Sequence, residues 1–95
     1  MNRWPVEVGC FVISKAGRDR GRPFLVVGVV DDDFVMVANG ALRKMDRQKK
    51  KRRKHLKPTG RVVTALQERL SQEKPVEDHE LRAWLSEEEE KLVQV

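Results

Sequence analysis

At 95 residues, with a net charge of +5 and charged residues at 37%, the chain has room for one small domain and an extension, which excludes a large enclosed active site or a multi-domain enzyme. Its hydrophobic content of 39% falls below the roughly 45–50% usual for a compact globule, so part of the chain is expected to stay outside a core. The longest apolar run, Phe24 to Val30, is far short of the ~20 residues that span a bilayer, and a single cysteine, Cys10, excludes an internal disulfide or a zinc site built on several thiolates.

Met1-Asn2-Arg3-Trp4-Pro5 leads into a strand-like pattern without an apolar leader segment, which makes the cytoplasm the expected location. From Val6 to Val12 the even positions Val6, Val8, Cys10 and Val12 are apolar, the period of a half-buried strand reaching Ile13 or Ser14. Lys15 to Pro23 contains two glycines, a proline and four basic residues and is predicted to be a loop. Phe24 to Val30 is rich in β-branched residues and fits a central strand covered on both sides. Asp31-Asp32-Asp33 supplies a turn before Phe34-Val35-Met36-Val37-Ala38, so the pair is predicted to be a hairpin. Asn39-Gly40 ends it with a second turn signal.

The next stretch, Arg43 to Lys57, holds ten basic residues and one acid. It offers no apolar face between Met45 and Leu56, and like charges four residues apart would each destabilise a helix by a few tenths of a kcal/mol, so a mobile or extended arm is expected. Replacing Lys49 to Lys54 in such an arm should leave the fold intact, because no apolar group is removed. His55-Leu56-Lys57 is predicted as a short last strand, stopped by Pro58-Thr59-Gly60.

Beyond Gly60 the apolar period changes: Val63, Leu66 and Leu70, then Leu81, Trp84, Leu85 and Leu92, mark two amphipathic helices separated at Lys74-Pro75. Asp78 is the expected N-cap of the second helix, and the run Glu87 to Glu90 near its C-terminal end predicts fraying. The fold expected is therefore mainly β with an α extension: a small antiparallel barrel over residues 1–60, including the basic arm 43–57, and an acidic helical extension over 61–95. Residues 1–60 hold 15 Lys/Arg against 6 Asp/Glu, and residues 61–95 hold 5 against 9. A barrel of about 60 residues buries only about 60% of its unfolded surface, so Leu66, Leu70, Leu81 and Trp84 are expected to pack against it, the alternative being that the stripe forms a dimer seam.

The segment Gly9 to Arg22, followed by the Phe24–Val30 strand, resembles the KOW motif of ribosomal and transcription-elongation proteins, with Gly17 as first glycine and Arg20-Gly21-Arg22 as the basic pair around the hallmark glycine. Residues 5–59 are similar to the archaeal and eukaryotic large-subunit ribosomal protein family L-fourteen-e and its small bacterial relatives, through Val6-Glu7-Val8-Gly9, Val26-Val27-Gly28-Val29-Val30-Asp31 and Val37-Ala38-Asn39-Gly40. The resemblance implies an SH3-like barrel that contacts RNA or ribosomal protein through its loops. The chain departs from the pattern in the density of its basic run at 47–54 and in its acidic helical tail.

Residue chemistry points the same way. Gly17 and Gly21 lack the Lys-Ser/Thr of a phosphate-binding P-loop, there is no nucleophile elbow, and His55 and His79 lie in unlike segments. No cofactor, metal or small-molecule substrate is expected, and Cys10 reads as a small buried hydrophobe. The expected RNA contacts are Lys15, Arg18, Arg20, Gly21 and Arg22 in the loop, where cations surround accessible backbone N–H groups, and Arg43, Lys44, Arg47, Lys49, Lys50, Lys51, Arg52, Arg53, Lys54 and Lys57 in the arm. With no tyrosine, and with Phe11, Phe24 and Phe34 in strands, a stacking platform is not expected; Trp4 is the exception. Structured, ribosomal RNA bound by phosphate charge is the expected partner, with ribosomal proteins beside it and no membrane. A solvated arm without a ligand, a nuclear-localisation signal and a polybasic membrane patch remain alternatives for the run. An adaptor docking through acidic helices 76–92 is the alternative function.

Overall fold

The computed structural model describes residues 6–93, so Trp4 lies outside the described residues. Five strands, β1 (Cys10–Ser14), β2 (Pro23–Val29), β3 (Phe34–Ala38), β4 (Lys49–Arg52) and β5 (Leu56–Val62), precede two helices, α1 (Thr64–Ser71) and α2 (Asp78–Val93). The strands form one antiparallel sheet in the order β4-β3-β2-β1-β5. The sheet bends into a small SH3-like barrel with the helices laid on its outside.

Two apolar cores share β1 and β2 as a common wall. Val6, Val12, Phe24, Val26, Val35, Val37 and Leu56 fill the barrel interior, while Phe11, Leu25, Val27 and Ala38 meet Val63, Leu66, Leu81 and Leu85 on the outer face. Each valine, leucine or phenylalanine among them removed from water contributes about 1.5–3 kcal/mol. The continuous apolar run of β2 follows from this, since a strand covered on both faces has no polar side. β1 differs from the half-buried strand expected from its alternation: Phe11 and Val12 are both buried, because the helices cover the face that Phe11 occupies. Pairing also begins later, at Cys10, after a turn in which the Cys10 N–H donates to the Glu7 carbonyl.

The helical stripe is spent within the chain rather than on a dimer seam, for Leu70, Trp84 and Leu92 pack against the same outer core. α1 ends with Glu73 in the left-handed region, and its last carbonyls are satisfied by the Glu73 N–H to Leu70 and the Lys74 N–H to Arg69. At the start of α2 the Glu77 carbonyl accepts the first helical bonds, and the Glu80 carboxylate reaches back to the Glu77 N–H, so Glu77 takes the capping place expected for Asp78. The Asp78 carboxylate instead accepts the Met45 N–H at 2.8 Å and ties α2 to the loop after β3. Gly40 faces this junction at φ +77°, where a Cβ would run into the Asp78 carbonyl oxygen. The far end of α2 is helical through Val93 and not frayed at the glutamates, since Glu88 is buried and paired with Arg61 at 2.8 Å and Lys91 at 3.3 Å. Burial pushes the Glu88 carboxyl up, but the hydrogen bonds from Arg61 and Lys91 outweigh it and hold it below its ordinary value.

β5 runs through Pro58-Thr59-Gly60 rather than stopping there. Its register against β1 shifts between the Val12–Pro58 and Cys10–Val62 pairs, and the Thr59 hydroxyl donates to the Phe11 carbonyl at 2.8 Å across the irregularity. An edge strand tolerates a proline that offers no N–H to the ladder, and a bulge absorbs the extra residues.

Candidate nucleic-acid interface

The loop between β1 and β2 is a tight, internally bonded hairpin end. The Gly21 N–H donates to the Ser14 carbonyl at 2.8 Å and the Ser14 N–H to Arg22 at 3.0 Å, while Gly17 to Asp19 form one 3-10 turn. Gly21 lies at φ +84° with open space where a Cβ would project, so it is required for its backbone conformation and not for close packing. The backbone N–H groups of Lys15, Arg20, Gly21 and Arg22 are all engaged within the protein, so these four are not among the accessible amides expected around the glycines. What the loop presents outward is side chains: Lys15, Arg18, Arg20 and Arg22 are exposed.

The basic run is not a free arm. Lys49–Arg52 is a strand paired with β3, in the register Val37↔Lys49, Met36↔Lys50, Val35↔Lys51 and Phe34↔Arg52. Val35 and Val37 point into the barrel, so Lys49 and Lys51 lie on the inner face and Lys50 and Arg52 on the outer. The inward lysines bury their hydrocarbon stems and carry their ammonium groups to oxygens at the barrel rim. Lys51 Nζ donates to the Ser14 hydroxyl at 2.7 Å and the Ala16 carbonyl at 3.3 Å, and Lys49 Nζ pairs with Asp19 at 2.6 Å. The Lys49 hydrogen bond holds the Asp19 carboxyl below its ordinary value against the opposing effect of burial, with further help from the charges of Lys49, Lys51 and Arg43. Burial pushes the Lys51 ammonium down, with neighbouring Lys49 acting in the same direction.

Arg53 is the second structural cation. Buried at 6% exposure, it donates to the Val6 carbonyl, to the Glu7 carboxylate at 2.8 Å and to the Asp31 carbonyl at 3.2 Å, so it fastens the chain entering β1 to the β2–β3 turn. Of the basic positions singled out in the sequence, Lys51 and Arg53 are therefore buried and bonded inside the protein. Lys44, Arg47, Lys50, Arg52, Lys54 and Lys57 are exposed, and Arg43 and Lys49 half-buried. Arg43, Lys44 and Arg47 belong to the loop after β3, which Asn39 organises by accepting the N–H groups of Ala41 and Arg43 at 3.0 Å each.

The Asp19–Lys49 pair joins loop 15–22 to β4, so the two basic segments singled out in the sequence meet in the fold. Sequence reasoning missed Asp19, the one acid in the loop, whose signal was its position within a cationic tip. It also missed Phe34 as a surface group: the ring is half-buried on the outer face, with Lys50 Nζ 4.6 Å and Arg52 Cζ 4.8 Å from its centre. The acids of α2 with paired carboxylates, Glu80 and Glu88, bond Arg69, Arg61 and Lys91. No helix among the described residues is long and apolar enough to cross a membrane.

Fold and surface together define a small SH3-like barrel that carries its excess positive charge on a folded edge strand and an adjoining loop. Over 58 residues, 61% of its length, the chain is 33% identical to the large ribosomal subunit protein eL14 of Desulfurococcus amylolyticus. It is 26% identical over a stretch of the same length to the large ribosomal subunit protein eL14 of Staphylothermus marinus. The matched segment spans 60% of each of these curated relatives. No family model matches the chain.

Proposed function

We propose that this is a non-enzymatic RNA-binding protein that works in the cytoplasm with the ribosome or its assembly, holding structured RNA by phosphate contacts. The observation that carries the reading is the junction at Asp19 and Lys49, which sets exposed Arg18, Arg20 and Arg22 beside the basic edge strand. Arginine supplies forked contacts to phosphate and lysine a point charge, and neither reads sequence by itself. The similarity to ribosomal proteins supports ribosomal RNA as the partner, with neighbouring ribosomal proteins on the remaining surface.

The test is sedimentation of the protein with ribosomal subunits over a salt series, together with RNA affinity measured from low to moderate potassium chloride. Neutralising about six phosphates gives a log–log slope of about −4.2 to −5.4, bracketed by the single-strand and duplex coefficients. A slope near zero rejects phosphate binding, and co-sedimentation without it would favour an adaptor that docks on protein.

A further inference from the structure

The helices cover only part of the outer face of the sheet. Their core takes Phe11, Leu25, Val27 and Ala38, with Met36 packed at its margin, and it stops short of the turn joining β2 to β3. On the part left over, Val30 is 46% exposed and lies beside Phe34, to whose carbonyl its N–H donates at 3.0 Å. Gly28 stands opposite Met36 and adds no side chain to the surface. The result is a short apolar strip of Val30 and Phe34, with Lys50 and Arg52 from β4 lying over the Phe34 ring.

We infer that this strip stacks an unpaired RNA base on Phe34, with Lys50 and Arg52 taking the phosphates on either side of it. The inference rests on the reading of the protein as RNA-binding and adds a second mode to it, recognition of a splayed-out nucleotide next to the structured RNA. A half-buried aromatic ring beneath two long, exposed cations offers the pairing that single-stranded nucleic acid uses once those side chains swing onto the phosphates, a flat apolar face for the base and positive charge for the backbone. A protein side chain would gain the apolar contact but leave two cations without a counter-charge. The acids at the turn set the direction. Three exposed aspartates at the turn, Asp31, Asp32 and Asp33, repel phosphate, so the backbone runs along β4 and away from the turn.

The experiment compares a short labelled oligouridylate with a duplex RNA, using the full chain and the variants Phe34→Leu, Phe34→Trp and Lys50→Gln/Arg52→Gln. Phe34→Leu is expected to weaken oligouridylate binding roughly tenfold and leave duplex affinity and its salt slope unchanged. Phe34→Trp should keep or strengthen it, and the double Gln variant should weaken both probes. In the parent protein the Phe34 ring protons should shift on titration with oligouridylate. Duplex binding with no ring-proton shift, or with equal oligouridylate affinity in parent and Phe34→Leu, overturns the stacking site while leaving the RNA reading in place. Failure of the parent to bind either probe overturns both.

Discussion

The ammonium group of Lys51 donates a 2.7 Å hydrogen bond to the hydroxyl of Ser14, joining the edge strand β4 to β1, three places away in the sheet. A lysine in a run of six consecutive basic residues thus closes the barrel rim. Lys51→Ala is expected to cost about 1.5–3 kcal/mol, the range for taking a buried aliphatic side chain out of its packing. Lys51→Met keeps the stem and removes the buried charge, so its loss should be less than half as large. Urea denaturation of both variants checks the ordering; equal losses would mean that the ammonium and not the stem carries the stability.

The buried and exposed cations should separate in mutagenesis. Arg18→Gln, Arg20→Gln and Arg22→Gln together are expected to weaken RNA binding at least tenfold while changing stability by less than about 0.5 kcal/mol, as usual for exposed substitutions. Replacing Lys49 to Lys54 as a block is expected to unfold the barrel, because it removes Lys51 and Arg53 from their bonds. A block variant with the parent's urea midpoint would show that these bonds are dispensable.

Glycines in the left-handed region should rank by what surrounds them. Gly21→Ala meets open space and carries only the backbone penalty of about 1–2 kcal/mol. Gly40→Ala adds a collision with the Asp78 carbonyl oxygen and is expected to cost at least 1 kcal/mol more, as overpacking does. Thermal melts of the two variants give the order directly, and a Gly40 variant as stable as the Gly21 variant contradicts it.

The acid limb of stability should report the bond between the helices. Arg69 donates to both carboxylate oxygens of Glu80, and this hydrogen bonding lowers the Glu80 carboxyl to about 2 from an ordinary value of 4.5. A depressed carboxyl stabilises the fold above its unfolded value and loses that contribution as pH falls through the folded one. The melting temperatures of the parent and of Arg69→Gln should therefore differ most above pH 4.5 and converge toward pH 2. A difference constant across that range would assign the effect of Arg69 to packing on Trp84, whose ring centre lies 6.0 Å away.

The central strands and both helices were legible because their signals are apolar and periodic, and the turn between β2 and β3 because three aspartates interrupt the apolar run. Phe24–Val30 announces a strand covered twice, and Leu81, Trp84 and Leu85 announce the face that covers it. β4 was not legible, since Lys49–Arg52 contains no apolar residue and its alternation lies in what the side chains do: two lysines turn inward on aliphatic stems while Lys50 and Arg52 lie along Phe34. Arg53 escaped for a similar reason, as its three acceptors at Val6, Glu7 and Asp31 are brought to it only by the closed barrel. In the candidate site, the loop cations and the basic strand were visible as separate segments. Their meeting depends on Asp19, which the count of charges treats as a minor loss of positive charge.

β4 is the last strand of the sheet, and among the described residues no further strand pairs with its outer edge. An open edge of this kind invites a second copy of the chain to extend the ladder. Two copies aligned antiparallel along β4 would set Lys49–Arg52 against Lys49–Arg52, like charge against like charge along the whole pairing length. The run that makes the surface attractive to an anion thus also opposes pairing of two copies along the β4 edge. That protection weakens only when an anionic ligand neutralises the strand, and a ligand lying there shields the same edge.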